Sequence, residues 1–326
     1  MTALKVEIAG VQTPVFLEST GPKISSSDIS AFEQRLGQKL PADYREFLLK
    51  YNGGSPLVGV VNGRDDDPNI PYQYGDAVRG FFKLAAGGVE VPEYERLTLP
   101  SDIPWDLPKD IFPIADDAGG NCFVMQLGDP SGCIRFLNHE DDAPIDEHRV
   151  VADSFLDLLL RFRSLEEQAA IDAAEKESER RRIMNGPFPP KLDAQCRVVE
   201  LNNPEVRAWI RLVSLGLFEA KGHFSIHAED LSRLWIDLLF WVYQTAIAPL
   251  RPIKRAELAT IVVNCYRDDD PEGYGLNGYA PDFLYEWWDD RLNSGALVPT
   301  GNGARLSEAA ATAMFDQLKQ MRRAGR

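Results

Sequence analysis

LPADYREFLLKYNGG, residues 40–54, is the stretch from which the fold of the first half of this chain can be worked out. Pro41 suits the first position of a helix, where its missing N–H costs nothing, and Gly53 or Gly54 supplies a left-handed stop. Between them, apolar side chains recur at i, i+3, i+4 and i+7, at Tyr44, Phe47, Leu48 and Tyr51. The stretch therefore predicts a short amphipathic helix whose apolar face packs against the rest of a domain.

The length and composition predict a globular protein of two domains. The chain has 326 residues, of which 44% are hydrophobic, so each of two ordinary domains can have a core. No run of about 18 apolar residues is present to span a bilayer, and MTALKVEIAG at the N-terminus lacks the apolar centre of a secretory signal. We therefore expect a cytoplasmic protein without a membrane partner.

The charge is strongly negative and unevenly distributed. The net charge is −15; residues 1–150 hold 13 Lys and Arg against 24 Asp and Glu, a net of −11, and residues 151–326 hold 22 against 26, a net of −4. Proteins that bind duplex nucleic acid usually need a basic surface to displace counterions, so no nucleic-acid partner is expected. A negative field keeps a protein soluble and also speeds its encounter with a basic partner.

The first half predicts an α+β domain over residues 1–163. Ser25 caps a helix that carries Ile29, Phe32 and Leu36 and stops at Gly37. Residues 111–137 predict a three-stranded antiparallel meander, because its apolar runs are separated by DDAGG and GDPSG, which are turn compositions. The run VADSFLDLLLRF predicts a closing helix with one apolar face, formed by Val151, Phe155, Leu158, Leu159 and Phe162. The expected sheet is antiparallel or mixed and flanked by helices.

The second half predicts a mostly α-helical domain over residues 191–326. A charged helix and a Pro-rich linker, residues 164–190, precede it, and NGPFPP at residues 185–190 breaks any helix. GALVPTGNGARL, residues 295–306, predicts a small hairpin between two helices, which is how a winged-helix domain ends. A generic helical bundle is favoured over that arrangement, because the hairpin carries only Arg305 as a base.

Four motifs recur along the first half in a fixed order and spacing. Their residues are Ile29, Phe32, Glu33, Leu36 and Gly37; Leu40, Pro41, Tyr44, Phe47, Leu48, Asn52, Gly53 and Gly54; Ile114, Ala115, Asp116, Gly119, Gly120 and Asn121; and Val151, Ala152, Asp153, Ser154 and Phe155. Together they resemble the SUKH superfamily over about residues 24–163. That family contains bacterial immunity proteins of polymorphic toxin and contact-dependent systems and a yeast regulator of cell-wall glucan synthesis. The resemblance implies an α+β fold and a binding role without catalysis.

Clusters of acidic residues in the predicted loops of the first domain are the candidate partner-binding site. Most acidic runs are simply solvated, and that interpretation stays open here. The alternative is a negative surface that covers the basic groove of a toxin, with exposed tyrosines as anchors. The candidate residues are Asp65, Asp66, Asp67, Tyr72, Tyr74, Asp116, Asp117, Glu140, Asp141, Asp142, Asp146 and Glu147.

Metal and catalytic sites find little support in the sequence. Asp65, Asp67 and Asn69 mimic the first ligands of a calcium loop, but Ile70 stands where that loop needs Gly. His223 and His227 are four residues apart, but a zinc protease motif needs Glu where Phe224 stands. Residues 224–226 are more typical of extended chain, or of the approach to the next helix, than of a helix that carries both histidines. No GxSxG elbow or GxxxxGK[ST] loop is present. We expect no metal, no cofactor and no enzymatic activity.

The function expected from the resemblance is binding and neutralisation of a cognate bacterial toxin. The acidic charge favours a nuclease effector of a polymorphic, contact-dependent or type VI secretion system. A non-catalytic adaptor is the alternative, and a hydrolase in the helical half ranks third. The Trp and Tyr residues of the second half are mostly core at helical spacing, but Trp287 and Trp288 are adjacent and we expect that they cannot both face one core. The alternative to a core position is that one of them is exposed and forms a second contact surface with Asp289, Asp290 and the acidic residues 268–270.

Overall fold

A computed structural model describes residues 3–62, 77–85, 91–92, 95–97, 107–128, 132–140, 148–246, 251–267, 270 and 272–325. The chain divides into two compact units, residues 1–171 and 172–326. No helix among the described residues is long and apolar enough to cross a membrane.

Two antiparallel sheets organise the first unit. The elements in chain order are β1 (Leu4–Ile8), β2 (Val11–Glu18), α1 (Ser26–Leu36), α2 (Ala42–Lys50), β3 (Ser55–Pro56), β4 (Gly80–Phe81), β5 (Ile111–Asp116), β6 (Cys122–Gln126), β7 (Ile134–Leu137), β8 (Val150–Ala152) and α3 (Phe155–Leu160). The sheet orders are β1-β2-β3 and β4-β5-β6-β7-β8, and Gly54 bridges Phe81 where the two sheets meet. The predicted meander is confirmed as β5-β6-β7, and the α+β fold with it.

The two predicted N-terminal helices are present, with one correction to the second. Ser25 caps α1 through a capping box with Asp28, and Gly37 ends that helix at φ 77°. In α2, Pro41 is the N-cap residue, one position before the predicted one. Gly53 has the predicted left-handed φ, 79°, and the residue before it, Asn52, is already left-handed at φ 50°.

Aromatic rings join α2 to the sheet and to α3. The Phe47 ring lies 5.2 Å from that of Phe81 and 4.8 Å from that of Phe155, and all three side chains are buried. The predicted apolar face of residues 40–54 therefore packs in the core. The predicted place of Val151 in the closing helix was wrong: Val151 lies in β8, which pairs with β7, and α3 begins only at Phe155 after the Ser154 cap.

Helices dominate the second unit, as predicted. The elements are α4 (Leu165–Asn185), which contains the division between the units, α5 (Pro190–Glu200), α6 (Val206–Lys221), β9 (Ser225–Ile226), α7 (Asp230–Thr245), α8 (Arg255–Val263), β10 (Gly278–Tyr279), α9 (Pro281–Asn293), β11 (Leu297–Thr300), β12 (Gly303–Leu306) and α10 (Glu308–Arg323). The predicted hairpin of residues 295–306 is β11-β12.

A third extended segment joins this hairpin. The backbone N–H of Ile253 donates to the carbonyl of Ala304, and the N–H of Ala304 donates to that of Ile253, both at 2.9 Å. The order from α7 is thus helix, extended segment, helix, the short strand β10, helix and hairpin. Apart from β10, this is the order of elements in a winged-helix domain, which stays the alternative to a generic helical bundle within this mostly helical unit.

The expectation that Trp287 and Trp288 cannot both face one core was wrong. Their exposed fractions are 0% and 5%. Successive side chains on a helix point about 100° apart. Two adjacent side chains can therefore both be buried when another element covers the wide face between them. Phe240 of α7 does so, because its ring lies 5.6 Å from that of Trp287 and 6.0 Å from that of Trp288.

Candidate functional site

Three of the predicted carboxylates, Asp116, Asp117 and Glu140, lie in the part of the chain that the structure describes. They share one end of the five-stranded sheet. Asp116 ends β5, Asp117 follows it, and Glu140 comes soon after β7, whose last residue pairs with the start of β6. The other predicted residues lie outside the described ranges: Asp65, Asp66, Asp67, Tyr72, Tyr74, Asp141, Asp142, Asp146 and Glu147.

The carboxylate of Asp117 holds the turn between β5 and β6. Its Oδ1 accepts the backbone N–H groups of Gly119 and Asn121, each at 2.8 Å, and its Oδ2 accepts from Nδ2 of Asn121 at 2.7 Å. The residue is only 4% exposed. Asp117 therefore contributes its charge to the sheet end, while its hydrogen-bonding capacity is used within the turn.

Asn121 connects this turn to the one that follows β7. Its Oδ1 accepts the backbone N–H of His139 at 3.1 Å and lies 2.8 Å from Nδ1 of the same histidine. The backbone N–H of Glu140 donates to Oδ1 of Asn138 at 3.0 Å, and the Glu140 side chain is exposed. Since both turns are tied together, Glu140 is presented to solvent from a fixed backbone.

Asp116 forms an ion pair with Arg79, beside β4. Arg79 Nε lies 3.2 Å from Oδ1, a second guanidinium nitrogen contacts Oδ2, and the backbone N–H of Arg79 donates to the Asp116 carbonyl at 2.7 Å. Burial raises the pKa of the Asp116 carboxyl, while Arg79 acts in the opposite direction and lowers it. The side chain of Arg79 is 55% exposed against 13% for Asp116, so the pair presents its cation outwards.

A polar cleft of about 170 Å³ lies beside this pair. A second ion pair borders it, in which Nζ of Lys83 lies 2.5 Å from a carboxylate oxygen of Glu95. The cleft thus offers two cations and two anions, and it suits hydrogen-bonding groups of a partner rather than one charged ligand. Its lining residues are Gly54, Ser55, Arg79, Gly80, Phe81, Phe82, Lys83, Glu95 and Asp116.

Asn52-Gly53-Gly54 shapes one wall of the cleft. Nδ2 of Asn52 donates to the carbonyls of Pro22 and Leu84, and its Oδ1 accepts the backbone N–H of Leu84, at 2.8, 3.0 and 2.8 Å. A Cβ on Gly53 would lie 2.6 Å from the carbonyl oxygen of Phe81, so only glycine fits this approach to β4. The motif that ends α2 therefore also positions the strand that carries the cleft.

Arg79, Lys83 and Glu95 were missed from the sequence. The available signal was RGFFK, residues 79–83, which places two cations four residues apart in a half of the chain with a net charge of −11. Nothing local marks Asp116 or Glu95 as the partners of these cations, since they lie 37 and 12 residues away in the sequence.

Nucleophilic chemistry has no support at this end of the sheet. Cys122 pairs with Asp116 in register, and burial raises the pKa of its thiol to about 12. A thiol with such a pKa is protonated at neutral pH and is a poor nucleophile.

The histidines of the second unit are held by local contacts. His223 Nδ1 lies 3.1 Å from the Lys221 carbonyl oxygen, and His227 Nε2 lies 3.0 Å from Oγ of Ser225. Residues 225–226 are extended, as predicted. Among the described residues, no group of three or more His, Cys, Asp or Glu side chains is arranged to hold a metal ion. The predicted calcium-like residues 65–69 lie outside those ranges.

Comparisons with known proteins place the first unit in a family. A sequence model of the SMI1/KNR4 family (SUKH-1) matches residues 23–161, which include α1, α2, the five-stranded sheet and α3. The SPbeta prophage-derived uncharacterized protein YokK of Bacillus subtilis (strain 168) is 30% identical over 148 residues, which cover 41% of this chain and 72% of that protein. The resemblance seen in the sequence is therefore confirmed.

Proposed function

Because the chain belongs to the SMI1/KNR4 family (SUKH-1), which includes toxin immunity proteins, we propose that it binds a cognate bacterial toxin and neutralises it. Members of this family act through protein partners and are generally not catalytic. The immunity function thus requires a surface that another protein can reach, rather than an active site.

The acidic end of the five-stranded sheet is the observation that carries this proposal. The exposed Glu140 lies at that end, on a turn that Asn121 ties to the β5-β6 turn, whereas Asp116 is paired with Arg79. In the sequence, Glu140 runs on directly into Asp141 and Asp142. A rigid scaffold that presents carboxylates binds a basic surface at little conformational cost. The polar cleft beside Arg79 supplies further hydrogen-bonding groups next to them.

The proposed toxin is a nuclease effector of a polymorphic, contact-dependent or type VI secretion system. An enzyme that binds a nucleic-acid backbone needs Lys and Arg in its substrate groove. A protein with a net charge of −15 complements such a groove and competes with the substrate for it. In this arrangement the carboxylates set the association rate and the specificity, while Tyr72 and Tyr74 are the proposed anchors that slow dissociation.

The experiment that tests this function uses the toxin domain encoded next to the gene for this protein. We expect the protein to rescue cells that express that domain and to bind it with 1:1 saturation in calorimetry. Recovery of several unrelated proteins, without rescue, would instead favour the adaptor function.

Charge variants then test the surface. Asp65, Asp66 and Asp67 changed together to Ser, or Glu140→Gln alone, are expected to slow association, by about tenfold for the triple variant. Glu166→Gln is the control, because Glu166 is exposed on α4, outside the predicted acidic loops. An unchanged association rate in both acidic variants, or an equal effect of Glu166→Gln, would contradict this surface.

A further inference from the structure

Helix α9 of the second unit has one buried and one exposed side. Phe283, Leu284, Trp287 and Trp288 are buried, and the alternating pairs between them are exposed. The exposed side therefore forms a continuous stripe at i, i+3, i+4 and i+7. Its members are Asp282, Tyr285, Glu286, Asp289 and Asp290, which we call the α9 face.

The order of elements puts α9 in a position that commonly serves recognition. In helix-turn-helix architectures the second helix of the pair presents its exposed side to DNA. Here α8 is the first helix and α9 the second, although residues 264–280 with β10 separate them, and the β11-β12 hairpin follows with Ile253 as its third extended segment. The fold thus points to α9 for contact, and the chemistry of its side chains identifies the partner.

That chemistry does not suit nucleic acid. The α9 face has four carboxylates, whereas the one base of this helix, Arg291, is used inside the protein. Its Nε and Nη2 donate to the carboxylate of Asp237 at 2.8 and 2.7 Å. A helix of this charge repels phosphates.

Only part of the negative charge on the α9 face is neutralised within the unit. Arg255 of α8 lies 2.7 Å from Asp289, and Arg233 of α7 lies 2.6 Å from Asp290. Among the described residues, Asp282 and Glu286 have no ion-pair partner. The first part of the face therefore keeps two carboxylates available for cations of another molecule.

An aromatic side chain and a small cleft lie beside these carboxylates. Tyr285 is 51% exposed, and the guanidinium of Arg255 lies 5.0 Å from the centre of its ring. Between α8 and α9 is a cleft of about 90 Å³ whose lining includes the apolar Leu258 and Ala259, the ring of Tyr285, and Arg255, whose charge is paired with Asp289. Exposed tyrosines are frequent anchors of protein interfaces, and apolar side chains in a cleft accept the aliphatic stem of a Lys or Arg whose head remains at a carboxylate.

We propose that the α9 face is a second protein-binding surface and that its occupant is a Lys- or Arg-rich segment of a partner protein. The complementary charge of Asp282 and Glu286 selects the occupant, and Tyr285 with the adjoining cleft holds it. This surface goes beyond the proposed toxin binding by the first unit, since it requires neither a toxin partner nor the acidic sheet end.

The test measures binding of the full chain to a fluorescein-labelled peptide of alternating Lys and Ser by fluorescence anisotropy, in about 50 mM salt to limit screening. Asp282→Asn with Glu286→Gln is expected to weaken binding by at least about fivefold, and the charge-neutral Tyr285→Ala by about threefold or more. The matched control removes the same charge from exposed residues of α4, by Glu175→Gln with Glu177→Gln, and should change affinity less than twofold. Circular dichroism checks that each variant is folded.

Several results would overturn the proposal. Equal weakening by the α4 control would mean that the peptide responds to net charge alone. Unchanged peptide affinity of the Tyr285→Ala protein would show that Tyr285 does not hold the peptide. If the unaltered protein does not bind the peptide, the α9 face is not a binding surface for basic segments. If duplex DNA bound as tightly as the peptide, and the Asp282→Asn with Glu286→Gln and Tyr285→Ala variants lost that binding, the α9 face would be a nucleic-acid surface instead.

Discussion

Replacing Phe47 with Ala should destabilise the first unit by about 4 kcal/mol. The side chain is fully buried, and burial of a Phe contributes about 1.5–3 kcal/mol through transfer from water. The remainder is the cost of the cavity. The surrounding rings lie 4.8 to 6.2 Å away on three segments, Tyr44 and Tyr51 on α2 and its C-cap, Phe81 on β4 and Phe155 on α3, so they cannot close the space together.

The assay is urea unfolding followed by circular dichroism, with hydrogen exchange locating the lost protection in residues 26–50. The matched control is Leu4→Ala, because Leu4 is 47% exposed and should cost less than about 1 kcal/mol. A loss below about 1 kcal/mol for Phe47→Ala in an unaltered fold would refute the packing argument. Reduced partner affinity in fully folded, equally stable Phe47→Ala protein would refute the separation of the scaffold from the binding surface.

Other side chains give further tests. Asn52→Ala removes three hydrogen bonds to backbone groups, two of them buried at Leu84, and should cost about 2–4 kcal/mol in thermal unfolding. A loss no larger than that caused by replacing an exposed Asn with Ala would contradict this. Hydrogen bonds from the Ser25 side chain and backbone lower the pKa of Asp28 below 3.8, so its stabilisation is present above that pH and lost as pH falls further; Asp28→Asn should flatten this part of the stability profile. Asp237→Ala leaves Arg291 and the buried indole N–H of Trp287 without their acceptor and should cost about 3–5 kcal/mol by calorimetry, whereas Asp237→Asn with Arg291→Met keeps an acceptor for Trp287 and should cost much less.

Features set by neighbouring residues could be predicted from the sequence. The capping box of Ser25 and Asp28 and the stop at Gly37 need only a few residues, and both are present. The β5-β6-β7 meander and the β11-β12 hairpin have their turn residues between apolar runs, and both were predicted. Helix content in the second half follows from apolar periodicity in the same way.

Features set by distant pairing could not be predicted. Val151 fits the apolar stripe of the helix that follows, yet it lies in β8, because β8 pairs with β7 across the sheet. The same holds for the joint burial of Trp287 and Trp288, which depends on Phe240 of another helix. Local sequence contains no information about which second element approaches, so neither feature could be derived from it.

The ion pairs and hydrogen bonds of the candidate site also depend on residues that are distant in the sequence. The sequence identified Asp116 and Asp117 as neighbouring acids, but not that one pairs with Arg79 and the other holds a turn. Hydrogen bonds to backbone N–H groups depend on the turn conformation, and the Arg79 pair depends on the register of β4 with β5. The sequence therefore locates the acidic residues, and only the folded backbone distinguishes exposed carboxylates from those used in ion pairs and turns.

The two proposed surfaces should respond differently to salt. Steering by the first 150 residues, with their net charge of −11, acts over distances comparable to the Debye length, which is about 8 Å at physiological ionic strength. Raising the salt should therefore reduce the effect of Glu140→Gln on the association rate. Packing against the half-exposed ring of Tyr285 is short-range and unscreened, so Tyr285→Ala should continue to accelerate dissociation at high salt. An effect of Tyr285→Ala that disappears with salt would mean that the ring acts only by positioning Arg255 and the charges around it.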